Sequence, residues 1–312
     1  MSTATAARDR TTQRLRPAGR RRGLRRRGAA TAYALLAPNL VLFGLFLLLP
    51  LVLTVALGFQ ETSGFGVGRW IGLGNYERMA ADDVFWRSAV NTVVFAAVTV
   101  PLTLVGGLGL ALLLDRPIRG RTLFRSLFYL PYVLSGVVVA LLGRWIFNEN
   151  VGVVNKVLRA LGGDGVPWQS SGAPAMASII AMVVWQSLGF CMVIYLAGLQ
   201  GIPRERYEAA RVDGATGWQI VRYVTVPGLR QTTFFLTVLM VIQSFQVFDV
   251  VFVLTGGGPG VSTELLVTYA YRQGFGARQQ GYASAIGVVM FVVVLAFTVL
   301  WWRSQRDTEA DT

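Results

Sequence analysis

The sequence of 312 residues contains no histidine, one cysteine and one lysine. Without histidine there is no Ser-His-Asp triad, no imidazole metal ligand and no imidazole pH switch. The lone Cys191 forms neither an intrachain disulfide nor a cysteine zinc site. Charge is scarce as well. Asp, Glu, Lys and Arg make up 14% of the chain, against about 25% in a soluble domain. With 54% hydrophobic residues and a mean hydropathy of +0.52, the chain cannot cover a water-facing surface in the usual way. It reads as an all-α polytopic membrane protein. Its few charges lean one way, 29 Lys and Arg against 16 Asp and Glu, a formal +13. That surplus alone leaves nucleic acid, an anionic membrane face and an acidic partner open.

What the chain has in their place is long uncharged runs, at 28–60, 88–114, 126–143, 175–199, 231–248 and 279–302. About 20 helical residues cross a hydrocarbon core about 30 Å thick. Apolar residues prolong the third run past Arg144 and the fifth past Asp249. Six spans are therefore expected, over about 33–59, 88–114, 126–147, 175–199, 231–254 and 280–302. They form one transmembrane domain at 31–302, between an arginine-rich tail at 1–30 and a short tail at 303–312.

The basic residues sort by connection. The two tails with 115–126 and 200–230 hold 21 of the 29, whereas 59–87, 148–174 and 255–281 hold 7. This bias places both termini in the cytoplasm. The arginine run at 20–27 is then a topology signal, helped by anionic lipid at the inner leaflet. No aromatic interleaving or DNA-binding motif accompanies it, so no nucleic-acid partner is expected. The apolar run that follows is too long for a signal peptide and lacks its cleavage site.

The cytoplasmic connection 200–230 is far longer than a turn needs to be. Pro203 suits a helix first turn, Glu205 and Glu208 sit near its positive end, and Gly214 supplies a stop. A helix of about three turns is expected, then a second amphipathic stretch at 218–226 ended by Pro227. Small residues Ala209, Ala210, Gly214 and Ala215 permit close approach by another surface, as a knob enters a socket; the alternative is a charged helix lying on lipid. The chain has no Gly-x4-Gly-Lys-[Ser/Thr] phosphate loop, and its single lysine, Lys156, lies in an outer connection. Energy for any pumping must come from another polypeptide.

The string Glu208-Ala209-Ala210, then Asp213-Gly214-Ala215, then Pro227, resembles the EAA loop of membrane-spanning permease subunits of bacterial ABC importers. Phe85-Trp86, Asn91-Thr92, Gly120-Arg121, Phe124-Arg125, Leu130-Pro131, the 197–203 string, Leu254-Thr255-Gly256-Gly257-Gly258-Pro259 and the 281–285 string resemble its carbohydrate branch, of the maltose type. One departure is Gln231, where the family often has proline. The resemblance implies a type I importer permease fold in the bacterial inner membrane, with no catalytic site, cofactor or metal in this chain. It implies that 208–215 is a coupling helix docking in a cleft of an ATPase subunit, a role carried onto Glu208, Ala209, Ala210, Asp213, Gly214 and Ala215. The implied partners are a homologous second permease, two cytoplasmic ATPase subunits holding ATP and Mg, and an extracytoplasmic solute-binding protein.

Polar groups inside spans are costly and face a cavity or a partner. Gln243, Gln246 and Asp249 fall within an arc of about 120° if the fifth span is one helix. The two amides suit sugar hydroxyls; the alternative is interhelical hydrogen bonding. Trp185 and Gln186 in the fourth span and Asn91 in the second are further pathway candidates, although Asn91 also suits a helix start. Asp82 and Asp83 are expected to open a short outer helix with Phe85 and Trp86. Two other functions compete with a sugar importer subunit. An ion-coupled carrier would use Asp249 as its coupling carboxylate, and a scaffold would transport nothing. A glycerol-phosphate substrate would favour cations within the spans; none lies centrally, which favours a neutral sugar.

Overall fold

The computed structural model describes residues 35–62 and 68–310, excluding the side chains of 305–310; the arginine-rich tail lies outside the described residues. The chain divides into two units, Met1–Leu53 and Thr54–Thr312. The first, from Leu35 on, is helical with a π-turn at Gly44–Leu48, and its Leu, Val and Phe side chains are largely exposed. An apolar surface of that kind is suited to lipid or protein, not water. The helix, α1, runs over Leu35–Gly58 and so ends in the second unit.

The second unit opens with a short antiparallel hairpin, β1 (Gln60–Glu61) and β2 (Arg69–Trp70), and helix α2 (Gly74–Ala80). Asp82 then caps α3 (Asp83–Asp115), its Oδ1 accepting from the backbone N–H groups of Val84 and Phe85 at 2.9 and 3.2 Å. The acids at 82 and 83 thus start a helix of 33 residues and not a separate short one. The capping hydrogen bonds and the absence of a breaker between them and the apolar run let one helix take both.

The third hydrophobic run departs from a straight span. It forms α4 (Arg121–Val133) and α5 (Gly136–Ile146), bent 99° from each other. Leu134 and Ser135 are both extended, with ψ near 145° and 141°, and two such residues end the helical ladder. Hydropathy at 126–147 records apolar environment, not backbone direction. After α6 (Val153–Ala160), α7 (Gly172–Gln200) is a straight helix packed along α3.

In the connection 200–230 lie α8 (Arg204–Val212) and α9 (Gly217–Gly228), the latter with a π-turn at Val221–Thr225. Pro227 does not end α9: it sits at the first turn of the segment after the π-turn, where its missing N–H costs little, and the helix continues to Gly228. A 68° bend follows before α10 (Arg230–Phe245).

The fifth run is broken again. Gln246, Val247 and Phe248 separate α10 from α11 (Asp249–Leu254). Gln243, Gln246 and Asp249 therefore do not share one helical face, because the periodicity that would align them stops at Phe245. Helix α12 (Leu266–Tyr271) and α13 (Gln280–Ala310) complete the chain. Among the described residues, four helices are long and apolar enough to cross a membrane, and up to six if each bent pair is one span.

Two apolar clusters dominate the second unit. One joins Phe95, Val139, Ile179, Met182 and Val251; the other joins Ala111, Met192, Tyr195, Leu229 and Leu236. Both draw on α3 and α7, which form the shared wall.

Candidate functional site

Between these clusters lies a cavity of about 370 Å³. Its walls come from α3 (Thr99, Thr103), α4 (Tyr132), α7 (Gln186, Ser187) and the broken segment from Gln243 to Val250. Backbone that leaves the helical ladder at membrane depth is tolerated where it lines a cavity. Both breaks meet here. Gly136, the first residue of α5, makes this contact possible: a Cβ there would lie 2.9 Å from both Cβ and Oδ2 of Asp249.

Each break is held by a polar contact. Gln186 Nε2 donates to Leu134 O at 3.2 Å, at the carbonyl where α4 gives way to the bend. Gln246 N–H donates to Gln243 O at 2.9 Å and closes the end of α10. Gln186 therefore serves the backbone as well as the cavity. Tyr132 stacks on Phe190 with ring centroids 4.7 Å apart. The Thr99 and Thr103 hydroxyls are buried and have no hydrogen-bond partner among the described residues.

Of the six pathway candidates, Gln186, Gln243, Gln246 and Asp249 line the cavity. Trp185 and Asn91 do not. Trp185 on α7 is 39% exposed and is not among the lining residues. Asn91 lies inside α3, past the capped start, and its Nδ2 donates to Val261 O and Glu264 O at 2.9 and 3.0 Å. It secures the loop after α11 to α3. Thr99, Thr103, Tyr132 and Ser244 were missed as lining residues. The spacing of Thr99 and Thr103, one turn apart in an otherwise apolar run, was the available signal.

On the opposite side of the second apolar cluster, the 200–230 connection presents α8. Glu205 occupies its first turn and Arg211 its last, each complementing the helix dipole. The C-terminus closes as a Schellman motif. Ala215 N–H donates to Ala210 O at 2.9 Å, Gly214 N–H donates to Arg211 O at 3.1 Å, and Gly214 has φ +77°. Thr216 and Gln219 then form a capping box that starts α9. Two helices are thus joined by a connection with few free dihedrals. Glu208, Ala209, Asp213 and Gly214 are exposed, and Ala210 and Ala215 half-buried. Tyr207 faces inward, its hydroxyl 3.4 Å from Thr225 Oγ1 on α9.

The end where α3 begins is tied differently. Asp82 Oδ2 accepts from Tyr269 and Tyr282 hydroxyls at 2.5 and 2.6 Å, joining α3, α12 and α13. Burial works to raise the Asp82 pKa, but the hydrogen bonds from Tyr269, Tyr282, Phe85 and Val84 hold it below its ordinary value. Glu264, fully buried, pairs with Arg272 at 2.7 Å, and Arg272 also donates to Gly256 O at 2.8 Å. This pair fastens the glycine-rich turn after α11. Among the described residues no group of three or more His, Cys, Asp or Glu could hold a metal ion.

Comparison with known proteins places these features in a family context. The family described as "binding-protein-dependent transport system inner membrane component" matches residues 103–305. A sulfoquinovosyl glycerol transport system permease protein of Agrobacterium fabrum is 37% identical, over 89% of this chain and 91% of its own length. The trehalose/maltose transport system permease protein of Thermococcus litoralis is 32% identical over 91% of this chain and 96% of its own. In solved structures, a chain of a bacterial ABC transporter involved in import of the acidic polysaccharide alginate superposes with a TM-score of 0.80. It is 26% identical, covering 92% of this chain and 99% of that one.

Proposed function

Because the chain belongs to the family of binding-protein-dependent transport system inner membrane components, we propose that it forms half of the pathway of an ATP-driven importer for a neutral sugar. It is a multi-pass membrane protein, with both termini assigned to the cytoplasm by the arginine bias. The observation that carries the reading is the cavity where two broken helices meet, lined by amides, hydroxyls and one carboxylate. Amides and hydroxyls both donate and accept, which suits a ligand dense in hydroxyl groups. No Lys or Arg is among the residues that line it, so an acidic substrate, such as the alginate of the structural relative, lacks a counter-charge on this side. A neutral sugar, as the name of the Thermococcus relative indicates for that protein, fits better.

Transport divides into binding, switching and energy supply. An extracytoplasmic binding protein delivers the sugar, and a homologous permease supplies the other wall. Two cytoplasmic ATPase subunits hold ATP and Mg; the sequence has no phosphate loop, and the described residues hold no metal ligand set. Helix α8, stiffened by the Schellman motif and the α9 capping box, docks in the ATPase and carries its closing motion toward the spans. The membrane part then alternates between inward- and outward-facing states, each favoured by a different nucleotide condition.

Deleting residues 208–214 tests this in proteoliposomes holding the assembled transporter. The expected result is loss of ATPase-subunit binding and of sugar uptake. ATP-dependent uptake that survives the deletion overturns the coupling role. One observation favours a second reading, the ion-coupled carrier: Asp249 is an acid at a helix break. That carrier would accumulate sugar on an ion gradient without any ATPase subunit, so gradient-driven uptake by the permeases alone decides between them.

A further inference from the structure

The one carboxylate in the cavity has an unusual setting. Asp249 is an exposed side chain within a hydrophobic run, and neither of the ion pairs between described residues includes it. A charge at membrane depth without a partner is expensive, and retaining one calls for a reason. The carboxylate lies against Gly136, the first residue of α5, a helix of 11 residues whose N-cap Ser135 makes no side-chain capping bond. The start of α5 thus lies beside the Asp249 side chain, and its first-turn N–H groups have no partner within the helix. Asp249 is itself the first residue of the short helix α11. The carboxylate lines the cavity, where it is open to a ligand.

We infer that Asp249 is a specificity-determining residue that accepts hydrogen bonds from two neighbouring hydroxyls of the sugar and repels substrates bearing an anionic group. This rests on the reading of the cavity as a sugar pathway. A carboxylate accepts and never donates, and its two oxygens match a pair of adjacent O–H donors. Charge-assisted hydrogen bonds of that kind are roughly twice as strong as neutral ones. Gln243 and Gln246, on the same broken segment, add groups that donate as well as accept. A uronate or a phosphate ester meets like-charge repulsion in this half of the pathway, whereas an amino sugar meets attraction. The relative that imports an acidic polysaccharide sets the contrast: the fold serves anionic cargo elsewhere, so charge preference resides in lining residues and not in the architecture.

The test is equilibrium binding to the purified complex of both permeases and both ATPases, without binding protein, so that only the cavity selects. The probes are maltose and trehalose, each with its uronic acid and its amino-sugar analogue. The parent complex is expected to prefer the neutral sugar over the uronate by about tenfold or more. Asp249→Asn should shrink that preference to about twofold, Asp249→Lys should reverse it, and Asp249→Glu should keep it. An unchanged preference in Asp249→Asn overturns the assignment. Dissociation of the Asn variant into separate subunits also overturns it, since Asp249 would then be a partner for the second permease. A parent complex that binds none of the sugars refutes the pathway reading itself. Sugar binding with a charge preference indifferent to residue 249 refutes only this inference.

Discussion

Asp82 shows how one side chain can organise an entire end of the molecule. One oxygen caps α3, and the other receives two tyrosine hydroxyls from parts of the chain nearly 200 positions away. Asp82→Asn keeps the shape but removes the charge that makes those bonds strong. Loss of about 1–3 kcal/mol is expected, read as a lowered melting temperature in detergent. The pH dependence follows from the depressed folded pKa. The stabilisation is complete above the ordinary aspartate value of 3.8 and is lost as pH falls through the lower folded value. The parent should therefore lose this advantage over Asp82→Asn only in strong acid. A melting difference that stays constant across that range would show that charge is not its source. Glu149 belongs to the same class: backbone N–H groups of Gln169 and Ser170 donate to it at 2.8 and 2.6 Å and hold its pKa below the usual glutamate value.

At the scale of elements, α8 is short, exposed and joined to α9 by a turn that only certain residues permit. Gly214 at φ +77° is that turn. A β-branched side chain there is strained by roughly 1–2 kcal/mol, which should fray the last turn of α8. Gly214→Val is thus expected to reduce binding-protein-stimulated ATP hydrolysis several-fold in the reconstituted transporter. Gly214→Asn should fall less, because asparagine tolerates the left-handed region. Equal losses in both would point to a lost contact and not to a strained turn. This helix end was legible beforehand, since glycine after a periodic segment has few other uses. The same holds for the long unbroken helices α3, α7 and α13, whose long uncharged runs could hardly be anything else. The broken helices were not legible in the same way. At 134–135 and 246–248 the residues are as apolar or as helix-compatible as their neighbours, and the breaks depend on distant partners. Gln186 reaches Leu134 across 52 positions, and Asp249 needs the empty side of Gly136. Why Asn91 and Trp185 do not line the cavity was not legible for a related reason: a polar or aromatic residue in a span announces that it has a partner, but not which one.

For the whole molecule the distribution of charge matters more than its sum. Of 29 basic residues, 21 fall in one set of connections and 7 in the other. Near an anionic leaflet each is worth about 1 kcal/mol, so the accumulated bias exceeds what any single substitution could reverse. Cysteine scarcity makes the orientation simple to measure. Cys191 is fully buried, so the parent should stay unlabelled by a membrane-impermeant maleimide, and each introduced cysteine reports alone. Asp164, Arg119 and Arg303 are exposed positions on different connections. Asp164→Cys should be labelled in intact cells. Arg119→Cys and Arg303→Cys should react only once the membrane is opened. Removing one arginine in the last two leaves the bias large, so the substitutions themselves should not invert the chain. Labelling of Arg303→Cys from outside would place the C-terminus on the wrong face and, with it, α8 out of reach of any cytoplasmic ATPase. The coupling proposal therefore stands or falls with this orientation, because an element that transmits force from ATP hydrolysis must lie on the side where ATP is.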